Sequence, residues 1–527
     1  MLTPHVTPLP SDITPERIVS SLRALSYPFW LDSGSGAFGR IGRYSFMAAE
    51  PFAWLKVIGG RCHVWESGGS SERVIGGDPF AVLDEMLRRY PQRDEPSLPP
   101  FQGGAAGYFG YELGRFLERV ATAQRNDWAM PEAYLGWYNA VVAWNHQTGE
   151  VQLITSGHPE GIQEASQQRA ELWLERLQSS AAAAEFDDAA PVIVPDAELS
   201  STFTRSEYCR MVERAQAYIA AGDIYQANVS QRFTLSIGVD ALALYRRLRR
   251  ISPAPFGAFL QLPEGAVASA SPERFLWMRN GVVETRPIKG TRPRGATSDD
   301  DAQWRRELVE SAKDRAEHVM IVDLERNDLG RVCRYGSVRV AESLTLESYA
   351  NVHHLVSTVE GALRPECGPV DVLRAMFPGG SITGAPKIRA MQIIAELEPT
   401  WRNVYTGALG YLSFSGATDL SVVIRTLVVS GGEVRFQVGG GVVADSEPER
   451  EYQETLDKAS GMLAALNFSE WKPDCRRGQG TGDGGQGTAA QTSLSRRKVQ
   501  DGRLLSPSGY GSSPSLRGLD ARHVPAG

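Results

Sequence analysis

The stretch Ser271–Gly295, SPERFLWMRNGVVETRPIKGTRPRG, constrains the fold more than any other part of the chain. Two runs rich in apolar and β-branched residues flank Arg279-Asn280-Gly281, and Asn-Gly is the strongest short hairpin signal. The segment therefore reads as two strands joined by a tight turn. Glu273 opens one arm, and Pro287-Ile288-Lys289-Gly290-Thr291 closes the other, so pairing the arms brings a carboxyl group towards a lysine. Arg286, Arg292 and Arg294 surround that lysine in sequence. Like charges disfavour an ammonium, so the pattern predicts a lowered lysine pKa of the kind an amine nucleophile needs. The same spacing also fits a surface hairpin with a loose, weak ion pair.

The rest of the chain narrows the class. Its 527 residues can bury a large core or make two domains. With 42% apolar and 22% charged residues and a net charge of −7, it has neither the composition of a disordered chain nor the basic surface of a nucleic-acid binder. No apolar run approaches the roughly 20 residues of a membrane span, and the N-terminus lacks a signal-peptide core. Cys62, Cys209, Cys333, Cys367 and Cys475 are scattered without a C-x-x-C pair. That usage fits a reducing, cytoplasmic setting rather than a disulfide framework or a structural zinc site.

In chain order, residues 14–179 mix helix and strand. Thr14 and Pro15 mark a helix start, Asp78–Tyr90 an amphipathic helix, Val151–Thr155 a strand, and Glu160–Ser179 a further helix. Ser33 reads as a serine at the end of a strand. Residues 180–200 turn small, acidic and proline-bearing, which predicts a linker. A second region spans 202–467, with a capped helix at Thr204 or Ser206, a helix from Trp304 through His318 towards Gly330, and a helix from Lys387 to Leu397 behind Pro386. A final helix runs from Glu449 to Leu466, and Glu451 and Glu454 share one of its faces. Arg425 sits inside the apolar run Ser421-Val422-Val423-Ile424, which is costly unless an anion pairs with it. Neither FQGGAAGYFGYE nor FPGGSITGAPK is a P-loop, since both lack the Gly-Lys-Ser/Thr ending. His353 and His354, adjacent on a strand, point to opposite faces and cannot share a metal. The composition of 470–527, dominated by glycine, serine and arginine, predicts a disordered tail.

SPERF followed by RPIKGTRPRG resembles the core signature of the chorismate-utilising enzymes. GDIYQANVS, DRAEHVMIVDLERNDLGR and REYQETLDKA are also similar to segments of that family, and the resemblance covers about residues 15–467. The PIKGT and GGSITGAPK forms resemble its aminodeoxychorismate synthase component I branch. Anthranilate synthases carry alanine where this chain has Lys289, and more often read GTLSGAPK.

The resemblance implies an α/β fold in α+β layers: two antiparallel sheets packed as a sandwich, helices outside and the site between the sheets. It makes 14–179 an N-terminal region like that of anthranilate synthase component I, and 202–467 the chorismate-binding catalytic domain. It implies Lys289 as nucleophile, Glu273 as general acid, and Mg²⁺ on Glu317, Glu451 and Glu454. Gln226, His354, Thr383, Tyr405, Arg425, Gly440 and Gly441 would contact chorismate. An amide at Gln226, where isochorismate synthases carry a lysine base, argues against hydroxylation at carbon 2. The implied reaction is amination of chorismate at carbon 4, with ammonia from a separate glutamine amidotransferase subunit. Tryptophan is a further ligand implied for the N-terminal region. Anthranilate synthase component I and a non-catalytic, tryptophan-binding subunit are the rival readings. A subunit of the latter kind would be expected to have lost the charged residues that this chain retains.

Overall fold

The computed structural model describes residues 1–10, 13–34, 38–39, 41–69, 71–179, 199–349 and 352–468. The tail expected at 470–527 and all but the last two residues of the 180–200 linker lie outside this set.

Two antiparallel sheets of 12 strands each make up the frame. The first runs from His5–Leu9 through Phe29–Asp32, Gly265–Ser271 and Gln226–Ser236 to Leu199–Ser201, and the second from Ile288–Pro293 through Arg274–Arg279 and Ala408–Ser413 to Arg73–Ile75. The described residues form one compact unit. Strands from both sides of the 180–200 segment share both sheets; Phe29–Asp32, for example, pairs with Phe256–Leu262, and Gly104–Phe109 with Ala408–Ser413. The two regions read from the sequence are thus successive in the chain but interleaved in space.

Burial follows the layering. Phe29, Phe46 and Val267 of the first sheet meet Tyr108, Tyr138 and Tyr411 of the second in a shared inner core. Phe46 packs edge-on against Tyr411 at 5.5 Å, and Phe29 against Tyr138 at 4.7 Å, the arrangement that ring quadrupoles favour. Outside the first sheet lie helices Pro15–Leu22, Gln163–Ser179, Ala241–Ile251 and Pro448–Ala465, and outside the second lie Pro79–Arg88, Ala312–Gly330 and Pro369–Met376. This is the expected sandwich with helices outside.

The local signals acted where expected. Thr14, Asp78 and Thr204 each accept a backbone N–H at a helix start, and Thr204 forms a full capping box with Glu207. Asn280 and Gly281 take φ of 54° and 73°, the left-handed pair that a two-residue hairpin turn requires, and join Arg274–Arg279 to Val282–Arg286. The helix read as continuous through His318 is instead two, Ser298–Glu310 and Ala312–Gly330. Ser311 ends the first with extended backbone and caps the second by accepting the Asp314 N–H. A hydroxyl that can bond its own backbone competes with helix continuation.

Two corners matter for function. The chain leaves the first sheet after Ser271 and enters the second at Arg274; it crosses back between Val422 and Thr426. Glu273 lies in the first corner and Arg425 in the second. The Val422 N–H donates to the Glu273 carbonyl (3.0 Å), holding the corners together.

Candidate active site

The chain brings the acid and the amine to one site, but the second hairpin arm ends at Arg286, and Lys289 lies on the next strand, Ile288–Pro293, which pairs with Val352–Ala362 instead of with the Glu273 arm. Glu273 is 5% exposed, and its carboxylate accepts the Ile288 N–H at 3.5 Å, one residue from Lys289. Burial raises the Glu273 pKa above its ordinary value, while the Ser381 hydroxyl and the charge of Lys289 pull it partly back. The Lys289 pKa is lowered, chiefly by burial; Glu317 opposes the shift and Lys458 adds to it.

The expected cause of that lowering is not the one found. The arginines near Lys289 in sequence are each neutralised elsewhere: Arg286 by Glu347 at 2.5 Å, Arg292 by Glu307 and Asp314 at 3.0 and 3.1 Å, and Arg294 by Asp301 at 2.6 Å. Desolvation and Lys458 do what the arginines were expected to do. Lys458 stands four residues after Glu454 on one helix and bonds it at 2.7 Å. Its i+4 spacing was the available signal, but it reads equally well as a surface pair.

Around this pair the strand Glu433–Val442 contributes Gly440 and Gly441, which pair with Val229 and Asn228 of Gln226–Ser236. Their value is room. A β-carbon at Gly441 would lie 2.2 Å from the Gln226 amide nitrogen and 3.4 Å from Lys289 Nζ; one at Gly440 would meet Glu451 at 3.0 Å. Gln226 is wholly buried, and neither its amide oxygen nor its nitrogen has a hydrogen-bond partner among the described residues. A buried amide left unpaired is costly, so these atoms point to a polar ligand.

His354 hydrogen-bonds Thr291 through Nδ1 at 2.8 Å, and its buried Nε2 has no hydrogen-bond partner among the described residues. Burial, assisted by Arg425, pushes its pKa down to about 3, so the ring is neutral. His353 instead faces Asp301 and Ser348, at 2.9 and 2.8 Å. Thr383 is wholly buried, and its hydroxyl donates to the Gly379 carbonyl (2.9 Å), bracing the Gly379–Thr383 turn.

The runs VYTGALGYLSF and DLSVVIRTLVV read as strands carrying Tyr405 and Arg425, but both residues fall outside the strands that form. Tyr405 lies in the turn before Ala408–Ser413, and Arg425 sits between Thr418–Val422 and Thr426–Ser430 with φ of 52°. The apolar run around Arg425 is a corner between sheets, not one strand, and its left-handed backbone is uncommon for a non-glycine residue. Among the described residues Arg425 has no carboxylate partner within ion-pair distance, and burial lowers its pKa.

The acidic set comes from two helices. Glu317 projects from Ala312–Gly330, and Glu451 and Glu454 from Pro448–Ala465. Glu451 is 4% exposed and accepts the Ser446 hydroxyl at 2.7 Å. Burial raises the pKa of both Glu317 and Glu451, and in each case a neighbouring glutamate adds to the rise. Lys458 lowers that of Glu454. Lys313 Nζ stands 3.8 Å from Glu317 and 4.0 Å from Glu451. Among the described residues no three His, Cys, Asp or Glu side chains already converge as a metal cage. The donor set nonetheless fits a hard divalent cation: it is made of carboxylate oxygens, Glu451 raises the pKa of Glu317 and Glu454 that of Glu451, and lysine ammonium groups lie within ion-pair distance of all three.

A cavity of about 420 Å³ lies between the sheets away from Lys289, lined in part by Ser33, Tyr44, Phe46, Arg274 and Asp419. The Ser33 hydroxyl donates to the Tyr44 carbonyl (2.7 Å). No described helix is long and apolar enough to cross a membrane. Cys62, Cys209, Cys333 and Cys367 are free thiols.

Comparison with known proteins adds a family context. Residues 29–464 match the family model described as chorismate binding enzyme. Aminodeoxychorismate synthase component 1 of Klebsiella aerogenes is 42% identical over 468 residues, covering 88% of this chain and 100% of that protein. Anthranilate synthase component 1 of Pseudomonas aeruginosa is 39% identical over 461 residues, covering 87% and 94%. The crystal structure of anthranilate synthase component I from Streptococcus pneumoniae superposes with a TM-score of 0.70 at 32% identity, covering 80% of this chain and 92% of that one.

Proposed function

Since the chain belongs to the chorismate binding enzyme family, we propose that it aminates chorismate at carbon 4, giving 4-amino-4-deoxychorismate for 4-aminobenzoate and folate synthesis. The observation that carries this reading over its relatives is Lys289, a lysine of lowered pKa beside the buried acid Glu273. Neutral Lys289 adds to ring carbon 2, both double bonds of the diene shift by one position, and the bond from carbon 4 to its hydroxyl breaks as Glu273 protonates the departing oxygen, which leaves as water. Ammonia then adds at carbon 4, both double bonds shift back, the neutral Lys289 amine leaves carbon 2, and the new ammonium returns a proton to the Glu273 carboxylate. One ammonia is consumed and one water released.

The substrate's two carboxylates call for two cationic regions. Arg425, without a carboxylate partner among the described residues, and Tyr405 would take the enolpyruvyl carboxylate. Gln226, Thr383 and neutral His354 would flank the ring, and the backbone at Gly440 and Gly441 would approach the ring carboxylate. Mg²⁺ on Glu317, Glu451 and Glu454 would bind that carboxylate and draw electron density from the diene as a Lewis acid. Glu454→Gln is then expected to raise the Mg²⁺ concentration needed for half-maximal activity by about tenfold or more, on the scale of a lost charged contact. Normal magnesium activation of that variant would move the cation elsewhere.

Ammonia would reach this component from a glutamine amidotransferase partner, in line with the component 1 names of the relatives. Free ammonium should replace that partner in vitro. The cavity beside Ser33 is where tryptophan would sit if this chain shares that ligand, and titration calorimetry with tryptophan tests it.

The deciding experiment is product identity. Incubation with chorismate, Mg²⁺ and ammonium at mildly alkaline pH should yield an aminated product that retains its enolpyruvyl group by mass spectrometry. An added lyase should convert it to 4-aminobenzoate. Anthranilate with free pyruvate would assign the chain to the anthranilate branch instead, and absence of any turnover would favour a non-catalytic subunit.

A further inference from the structure

We infer that Arg402, locked to Glu398, is the positioning residue that sets the shape of the chorismate pocket by tying together the three segments that carry Gln226, Thr383 and Tyr405. The inference rests on the substrate roles proposed above; the geometry stands apart from them. Arg402 is 1% exposed and Glu398 3%. The guanidinium forms a two-pronged pair with Glu398, Nε at 2.8 Å and Nη2 at 2.7 Å. Its remaining hydrogens reach outwards to the Asn228 carbonyl at 2.6 Å, the Ile382 carbonyl at 3.2 Å and the Thr406 hydroxyl at 3.2 Å.

Each acceptor adjoins a residue proposed to touch substrate. Asn228 is two residues beyond Gln226, and its N–H donates to the Thr383 carbonyl at 2.7 Å. Ile382 lies between Thr383 and Ser381, whose hydroxyl bonds Glu273. Thr406 follows Tyr405, and its N–H donates to Val423 at 2.7 Å, in the corner that carries Arg425. Glu398 extends the tie by accepting the Ser230 N–H and hydroxyl at 2.9 and 2.6 Å. The rings of Tyr111 and Tyr405 lie against the guanidinium at 4.6 and 5.7 Å.

A buried ion pair by itself is weak grounds for any role, since an apolar pair often stabilises as well. The distinguishing feature is the fork. One planar group with donors in fixed directions holds two backbone carbonyls and one hydroxyl from separate segments at once, and an ammonium cannot reproduce that. Among the described residues the Arg402 and Glu398 side chains make no hydrogen bond to the acidic helices, so metal affinity should respond less than pocket shape.

The test is Arg402→Lys in the full chain. The expected result is a rise in KM for chorismate of about tenfold or more, the scale of a small misplacement of binding groups, with the Mg²⁺ activation midpoint unchanged. Hydrogen exchange should quicken together across 226–230, 380–384 and 404–408, and not in the 274–286 hairpin. A lowered melting temperature with KM and local exchange unchanged would overturn the inference and leave Arg402 a packing residue. If Arg402→Lys does not fold, Glu398→Gln, which keeps the volume and removes the charge, takes its place with the same criteria. Should wild type neither bind nor turn over chorismate, the amination reading fails on its own, and the coordinated exchange of the three segments alone decides the inference.

Discussion

Lys289→Ala is expected to lower ammonia-dependent amination by about a thousandfold or more, the scale on which loss of a covalent nucleophile acts. Chorismate binding should survive, because the groups proposed to hold its carboxylates are Arg425, Tyr405 and the acidic helices. The amine works only as a free base, and the structure lowers its pKa through burial and through Lys458. Rates referred to free ammonia should therefore rise with pH through that lowered value and then level on this limb. Intact-mass measurement of wild type with chorismate and no ammonia should find a fraction of protein carrying chorismate less one water. Turnover of Lys289→Ala within tenfold of wild type, with no such adduct, would remove the lysine from the covalent step.

Replacing Glu273 with glutamine should cost about 10²- to 10⁴-fold in kcat, the usual weight of a positioned acid, because an amide keeps the shape but cannot release a proton to the departing hydroxyl. Wild-type activity should fall at high pH as the raised Glu273 carboxyl ionises, and in Glu273→Gln that alkaline limb should vanish. Stability gives an independent check. A carboxyl whose folded pKa lies above 4.5 binds more protons folded than unfolded, so this group's contribution to stability is lost as pH rises from 4.5 through the folded value. The glutamine variant has no such loss and should melt at or above the wild-type temperature near neutral pH. An unchanged kcat in a well-folded variant would assign the proton to another donor.

Much of this site was legible because its chemistry is written in short segments. The Asn280-Gly281 turn is a local backbone preference, and it alone predicts that Glu273 and Lys289 approach, although Lys289 lies on the strand after the hairpin. The glutamates on one face of Pro448–Ala465 follow from helical period, and the caps at Thr14, Asp78 and Thr204 from hydroxyl and carboxylate chemistry at a helix start. The roles of Gln226, His354 and Arg425 came from resemblance, and the structure adds to them unpaired polar atoms at Gln226 and His354.

What the sequence by itself determined is the set of local elements and the kind of groups they carry: a hairpin with an acid at one end and an amine just past the other, a carboxylate helix, an arginine in apolar surroundings. The tertiary structure decided which of these groups act on one another. Arg286, Arg292 and Arg294, neighbours of Lys289 in sequence, turned to acids elsewhere, while Lys458, 169 positions further along the chain, became its electrostatic neighbour. Arg425 became a corner rather than part of a strand because the chain changes sheets there. Arg402 joined three segments that no local pattern links. Turns and caps are set by contacts within a few residues, whereas charge and burial act through space, and distance in space is known only once both sheets have closed.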